Sequence, residues 1–164
     1  MSEVPGGAER SSVNDPYLDP MHSMGYLTRV NFRAFSKALE QMTLPHGVSA
    51  GQWRLLRVLW EQDNITQREL SDRAGTREAS TAQTIRTLEG EGLIKRTRCS
   101  QDRRKVYITL THRGRRLRAR LMPMVVAVNE LALVGIDPGD IAIARRVLSQ
   151  TYTNLCHSLE NSDD

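Results

Sequence analysis

The stretch from Thr66 to Thr111, TQRELSDRAGTREASTAQTIRTLEGEGLIKRTRCSQDRRKVYITLT, constrains the fold more than any other part of the chain, because its periodicity changes partway. Thr66 and Glu69 stand at T-x-x-E spacing, so the spacing predicts a helix starting at Thr66 with reciprocal capping. Leu70 and Ala74 fall on one side of it, and Gly75 ends it. Thr76 is placed to cap a second helix, from Arg77 to about Glu91. Ala79, Ala82, Ile85 and Leu88 recur every third residue there as a narrow apolar stripe. The opposite side carries Ser80, Thr81, Gln83, Thr84 and Arg86, side chains that can donate to and accept from base edges. Gly90 and Gly92 stop the helix. From Leu93 to Arg98 and from Val106 to Leu110 the pattern turns to that of strands. The loop between them, Cys99 to Lys105, ends in three cations, Arg103, Arg104 and Lys105, which suit a minor-groove probe better than a core. Two helices followed by a basic hairpin are a winged helix-turn-helix.

These residues resemble the MarR (multiple-antibiotic-resistance) regulators. The resemblance rests on E-L-S at Glu69 to Ser71, L-E-x-x-G-L-I-x-R at Leu88 to Arg96, D-R-R at Asp102 to Arg104, and L-T-x-x-G at Leu110 to Gly114. It implies a mainly α fold with a small β-hairpin, a winged helix-turn-helix flanked by N- and C-terminal dimerisation helices. It also implies double-stranded DNA as partner, a homodimer, and a small molecule bound between the winged module and the dimerisation helices. Asp102 and Arg104 become the important pair of the wing, with Asp102 bracing an arginine. The recognition helix departs from the family at Ala82-Gln83, where a small hydroxyl residue and an arginine are usual. The docking mode therefore transfers and the target sequence does not.

Charge is segregated. The chain carries a net +4, but Thr66 to Arg120 holds 15 Lys and Arg against 6 Asp and Glu, or +9, which leaves −5 elsewhere. A cationic module in an otherwise acidic chain fits a polyanionic partner. A winged helix serving only as a protein-interaction module, the alternative reading, has no need of that asymmetry. Arg77, Arg98 and Lys105 read as phosphate contacts, Gln83 as the base reader through a bidentate carboxamide, and Arg103 and Arg104 as minor-groove contacts. The run Arg113, Arg115, Arg116, Arg118 and Arg120 could face phosphate, pair with a partner chain's acids, or be solvated.

Residues 1–18 read as a flexible tail. Asp19-Pro20 starts a helix to about Met42, which gives an N-terminal dimerisation segment over 19–48. The winged module, 49–111, opens with a capping box at Ser49 and Gln52 and a helix bearing Trp53, Leu56, Leu59 and Trp60. Two C-terminal dimerisation helices fill 112–160: one is capped by Thr111 and either kinked or restarted at Pro123, the other is capped by Asp137 ahead of Pro138. Residues 161–164 are a second tail. The outer helices carry more apolar surface than one small module can cover, and pairing of two chains would bury it. With two-fold symmetry the recognition helices would stand about 34 Å apart, reading a near-palindrome.

An effector site is expected on the first helix, where His22, Tyr26, Arg29 and Arg33 share a stripe near Trp53 in the implied fold. Arginine offers bidentate recognition of carboxylate or phosphate, and aromatic walls suit a planar ligand. An aromatic carboxylate or its coenzyme A thioester, releasing a repressor from DNA, is the expected ligand. Equally, Arg29 and Arg33 could pair with acids across a dimer. Cys99 and Cys156 are too far apart in sequence to indicate a disulfide framework; a cysteine redox sensor is the alternative regulator. His22, His46, His112, Cys156 and His157 have no metal-ligand spacing, so neither metal nor cofactor is expected. Phosphate loops, nucleophile elbows and paired carboxylates are lacking, which points away from an enzyme. Met1 to Asp15 lacks the apolar core of a signal peptide, and the eight-residue run Leu121 to Val128 is too short to span a bilayer. A cytoplasmic protein is expected.

Overall fold

A computed structural model describes residues 19–98, 102 and 105–161. Six helices and a three-stranded sheet follow one another: α1 (Met24–Thr43), α2 (Ala50–Glu61), β1 (Ile65–Thr66), α3 (Gln67–Ala74), α4 (Glu78–Gly90), β2 (Ile94–Arg98), β3 (Val106–Leu110), α5 (His112–Ala132) and α6 (Pro138–Glu160). The mainly α, winged helix-turn-helix expectation holds. One strand was not foreseen: Ile65 and Thr66 pair antiparallel with Ile108 and Tyr107, so the sheet order is β1-β3-β2. Two residues are too few to show alternation, which is why the sequence hid β1.

The capping signals act where they were read. Thr66 Oγ1 accepts from the Glu69 amide while the Glu69 carboxylate accepts from the Thr66 amide. Ser49 and Gln52 do the same for α2. Thr111 caps α5 and Asp137 caps α6. Three expectations need correction. Asp19 caps only a 3-10 turn, Pro20–His22; Ser23 then accepts from the Tyr26 amide and starts α1. Thr76 does not cap α4. Arg77 holds the cap position without a side-chain bond, because the Thr76 hydroxyl is spent on Thr81. Of the two readings of Pro123, the restart does not hold: α5 is one helix from His112 to Ala132, with Pro123 inside it. The missing amide and ring clash at such a position cost about 3 kcal/mol; burial of Leu121 and Val128 on either side offsets this, each contributing roughly 1.5–3 kcal/mol.

The core belongs to the winged module. Leu55, Leu56 and Leu59 of α2, Leu70 of α3, Ile85 and Leu88 of α4, Ile65, Ile94, Ile108 and Leu110 of the sheet, and Leu117 and Leu121 of α5 form one buried cluster. α5 closes on the sheet because residue 114 is glycine. A Cβ there would stand 2.1 Å from the Leu93 carbonyl oxygen. Around that contact Thr111 Oγ1 donates to the Gly92 carbonyl at 2.7 Å and Trp60 Nε1 donates to the Gly114 carbonyl at 3.0 Å.

The outer helices are built differently. None of the described residues of α6 is buried. Ile143, Val147, Leu148, Tyr152, Leu155 and Leu159 stand open along it, with Tyr152 at 71% and Leu159 at 68% exposure. An apolar groove of about 510 Å³ runs between α1 and the α5–α6 corner, lined by Leu27, Phe35, Leu133, Ile141 and Leu148 among others. Among the described residues, no helix is long and apolar enough to cross a membrane.

Candidate nucleic-acid interface

The turn between α3 and α4 sets the pose of the outward helix. Gly75 takes the left-handed conformation (φ 61°), which reverses the chain at little cost for a residue without Cβ. The Thr76 hydroxyl then lies 2.7 Å from Thr81 Oγ1. Thr81 donates to Ser71 Oγ at 3.2 Å, and Ser71 donates to the Thr76 carbonyl at 2.7 Å. Thr81 is buried to 1% exposure by this ring of bonds. Its assignment as a DNA contact is therefore corrected: it points inward and holds α4 against α3. Ala79, expected on the buried stripe, is exposed. The two errors have one cause, a rotation of the buried face to Thr81, Ile85 and Leu88.

What remains outward on α4 is Arg77 at the cap, Ser80, Gln83 and Arg86, all exposed. Arg86 Nη2 donates to Gln83 Oε1 at 2.6 Å, which leaves the Gln83 amide nitrogen free to donate outward. Thr84 is half-buried and its hydroxyl is taken by the Ser80 carbonyl at 3.0 Å, a back-bond that makes it a weak candidate for reading a base.

The strands of the wing lie beside this surface. On β2, Lys95, Arg96, Thr97 and Arg98 are all exposed, and only Ile94 is buried. Arg96 Nε donates to Glu89 Oε2 at 2.8 Å, tying β2 to the end of α4. That guanidinium holds the Glu89 carboxyl below the usual carboxylate range, and Glu89 in turn raises Arg96. Both residues belong to the Leu88 to Arg96 motif, and nothing in their spacing shows that they meet across the left-handed turn at Gly92 (φ 67°). At the tip, the Lys105 amide donates to the Asp102 carbonyl at 2.9 Å; Asp102 is half-buried and the Lys105 side chain is exposed. Arg103, Arg104 and Cys99 lie outside the described residues.

The arginines of α5 divide. Arg115 pairs with Asp63 at 2.6 Å, beside the Leu110 amide that donates to the same carboxylate. Arg113 Nη1 donates to the Glu91 carbonyl at 2.9 Å and Arg120 Nη2 lies 3.4 Å from His46 Nδ1. Arg116 and Arg118 are exposed. The sequence reading favoured no particular partner for any of them, since Asp63, Glu91 and His46 are distant in sequence.

The expected effector stripe is only partly assembled. Arg29 lies 5.3 Å over the ring of half-buried Tyr26, a cation–π contact. His22 is exposed and 3.5 Å from Asp19. Arg33 borders a shallow groove with Phe32, Lys37, Glu40 and Arg54. Trp53 departs from expectation. It is buried, edge-on to Trp60 with ring centroids 5.5 Å apart, and serves the core as an aromatic brace instead of presenting a wall to α1's outer stripe. Cys156 is half-buried on α6, and its thiol holds the Tyr152 phenol above its usual pKa. Among the described residues no three His, Cys, Asp or Glu side chains gather as a metal site.

The MarR family model matches residues 48–106, the segment that supplies most of the core. Among curated proteins, the chain is similar to the HTH-type transcriptional regulator TtmR of Methylorubrum extorquens, 30% identical over 88 residues, covering 54% of this chain and 45% of that protein. It is also similar to the homoprotocatechuate degradative operon repressor of Escherichia coli, 31% identical over 80 residues, covering 49% and 54% respectively. The matched stretch thus spans about half the length of these relatives. The fold agrees over a longer range with the crystal structure of a MarR transcriptional regulator from Methanosarcina mazei: TM-score 0.76 at 25% identity, over 82% of this chain and 96% of that one.

Proposed function

We propose that this chain, whose residues 48–106 match the MarR family model, is a sequence-specific, double-stranded-DNA-binding transcriptional regulator of that family, acting as a homodimer. The observation that carries this reading is the split of α4. Thr81, Ile85 and Leu88 hold one face in the core, while Arg77, Ser80, Gln83 and Arg86 stand outward beside the exposed cations of β2. A helix so presented enters a major groove, and a basic wing tip reaches the adjoining minor groove. Arg77, Arg98 and Lys105 would hold phosphates, Gln83 would read a base, Ser80 and Arg86 would flank it, and Arg103 and Arg104 would enter the minor groove with Asp102 bracing the loop. The test is fluorescence anisotropy with a labelled duplex pool over a salt series. Binding at low salt, with log K falling linearly against log salt, is expected, and Arg77→Gln should flatten that slope by about one contact. A protein indifferent to duplex DNA at low salt would overturn the reading.

Pairing of two chains is supported by the open side chains of α6 and by the apolar groove between α1 and the α5–α6 corner. On this reading 19–48 and 112–160 are the dimerisation segments, and 49–111 the DNA-binding module. Burying some ten of those side chains, at roughly 1.5–3 kcal/mol each, outweighs the entropy of association. The regulator acts as a repressor released by a small organic anion. The similarity to a repressor of an aromatic-degradation operon supports this, as do the cations Arg29 and Arg33 beside Tyr26.

A further inference from the structure

We infer that Gln83 and Arg86 read DNA as one unit, and that the base they read is guanine. This rests on the DNA-regulator reading above and names what its outward helix recognises. A carboxamide with both ends free donates through its nitrogen and accepts through its oxygen, and that pattern matches adenine. On α4 the two ends are not equally free. Arg86 Nη2 donates to Gln83 Oε1 at 2.6 Å, so the acceptor end is occupied by a charged donor. The two residues are exposed and stand three positions apart, as neighbours on the helix surface.

The surroundings hold Arg86 to this partner. The nearest acid along the helix, Glu89, is one turn further on, and its Oε2 accepts from Arg96 Nε at 2.8 Å. That carboxylate is thereby drawn to the wing strand and away from Arg86. The hydroxyls nearby are turned back on the helix. Thr84 Oγ1 donates to the Ser80 carbonyl at 3.0 Å, and Thr87 Oγ1 donates to the Gln83 carbonyl at 3.3 Å. Their protons are spent on the backbone. The donors left at the middle of the outward face are the Gln83 amide nitrogen and the other N–H groups of the Arg86 guanidinium. Ser80 stands one turn before them.

Guanine is the base edge that answers such a head. In the major groove it offers two acceptors, N7 and O6, whereas adenine offers one acceptor and the N6 donor. Oε1 has a second lone pair, but an adenine N–H seeking it would bring a positive hydrogen against an oxygen already holding a cation. Cytosine presents a donor, and thymine a single acceptor. Arg86 is thus a positioning residue for Gln83, and it adds donors of its own to the same purine edge. The pair includes Gln83, where the chain departs from the residue usual in its family, so the base it reads is a property of this chain.

The test selects bound duplexes from a random pool with the full chain, in parallel for the unaltered protein, Gln83→Ala and Arg86→Met. The unaltered protein should enrich a G·C pair at one position of the half-site, about tenfold over A·T. Gln83→Ala should lose that preference at that position alone. Arg86→Met keeps an unbranched, helix-forming side chain and frees Oε1, so the same position should turn to A·T. Competition anisotropy with duplexes differing only at that pair should show the guanine-to-adenine preference falling by about tenfold or more in Arg86→Met. The inference fails if the Gln83-dependent pair is A·T in the unaltered protein, or if Gln83→Ala selects an unchanged sequence. It fails too if Arg86→Met weakens all duplexes alike and still prefers guanine, the behaviour of a phosphate contact alone. A protein that binds no duplex would overturn the DNA reading with it, whereas binding with another base at that position sinks this inference by itself.

Discussion

The Thr76 and Thr81 hydroxyl oxygens lie 2.7 Å apart, and through them the turn before the recognition helix is locked to the helix itself. Thr81→Val keeps the shape and removes the hydroxyl, leaving buried Ser71 and half-buried Thr76 each short of a partner. The cost should be about 1–3 kcal/mol, read as a lower urea midpoint with an unchanged slope. DNA affinity should fall with it, although Thr81 lies on the buried face of α4.

Gly114→Ala should be more damaging. The added methyl would meet the Leu93 carbonyl, a backbone atom that cannot swing aside, at 2.1 Å. Overpacking of this kind costs about 1–3 kcal/mol and occasionally more; a calorimetric melting temperature lowered by several degrees is expected. An unchanged melting temperature would mean that α5 and β2 are less tightly seated.

Glu69 gives a pH prediction. Its carboxylate accepts from the Thr66 hydroxyl and amide, and these bonds hold its pKa below the usual range. A carboxyl whose pKa falls on folding stabilises the fold fully above its unfolded pKa, and that contribution is lost as pH drops through the folded value. NMR titration should find the Glu69 carboxyl protonating below the usual glutamate range, and Thr66→Ala should raise it toward that range.

Much of this architecture could be read from residue spacing. The capping boxes at Ser49 and Thr66 were legible because both partners lie within one turn. Local turn chemistry likewise marked Gly75 and Asp137. What escaped was set by distant partners. Thr81 reads from spacing as an outward polar residue, and its bonds to Thr76 and Ser71, five and ten positions earlier, turn it inward. Trp53 was placed by analogy on a pocket wall, and its contact with Trp60 fixes it in the core instead. Arg113 meets Glu91 and Arg120 meets His46 across long stretches of chain, and no periodicity within one helix could expose those contacts. The two-residue β1 is visible only through its pairing with β3.

Base reading and phosphate holding should separate in mutants. Gln83→Ala should relax preference at one base position, a discrimination of about 1–3 kcal/mol, with little change in salt dependence. Arg98→Gln and Lys105→Gln should weaken all duplexes alike and each flatten the salt slope by about one contact. Anisotropy on matched and single-substituted duplexes separates the two behaviours; a uniform loss from Gln83→Ala would remove it from the base-reading role.

Selection of bound duplexes from a random pool tests the central claim most directly, since it interrogates both the outward face of α4 and the pairing of two chains. An inverted repeat should be enriched, with half-site centres about 10–10.5 base pairs apart. Enrichment of a solitary half-site, or of no sequence at all, would contradict the picture of two symmetry-related helices reading successive major grooves.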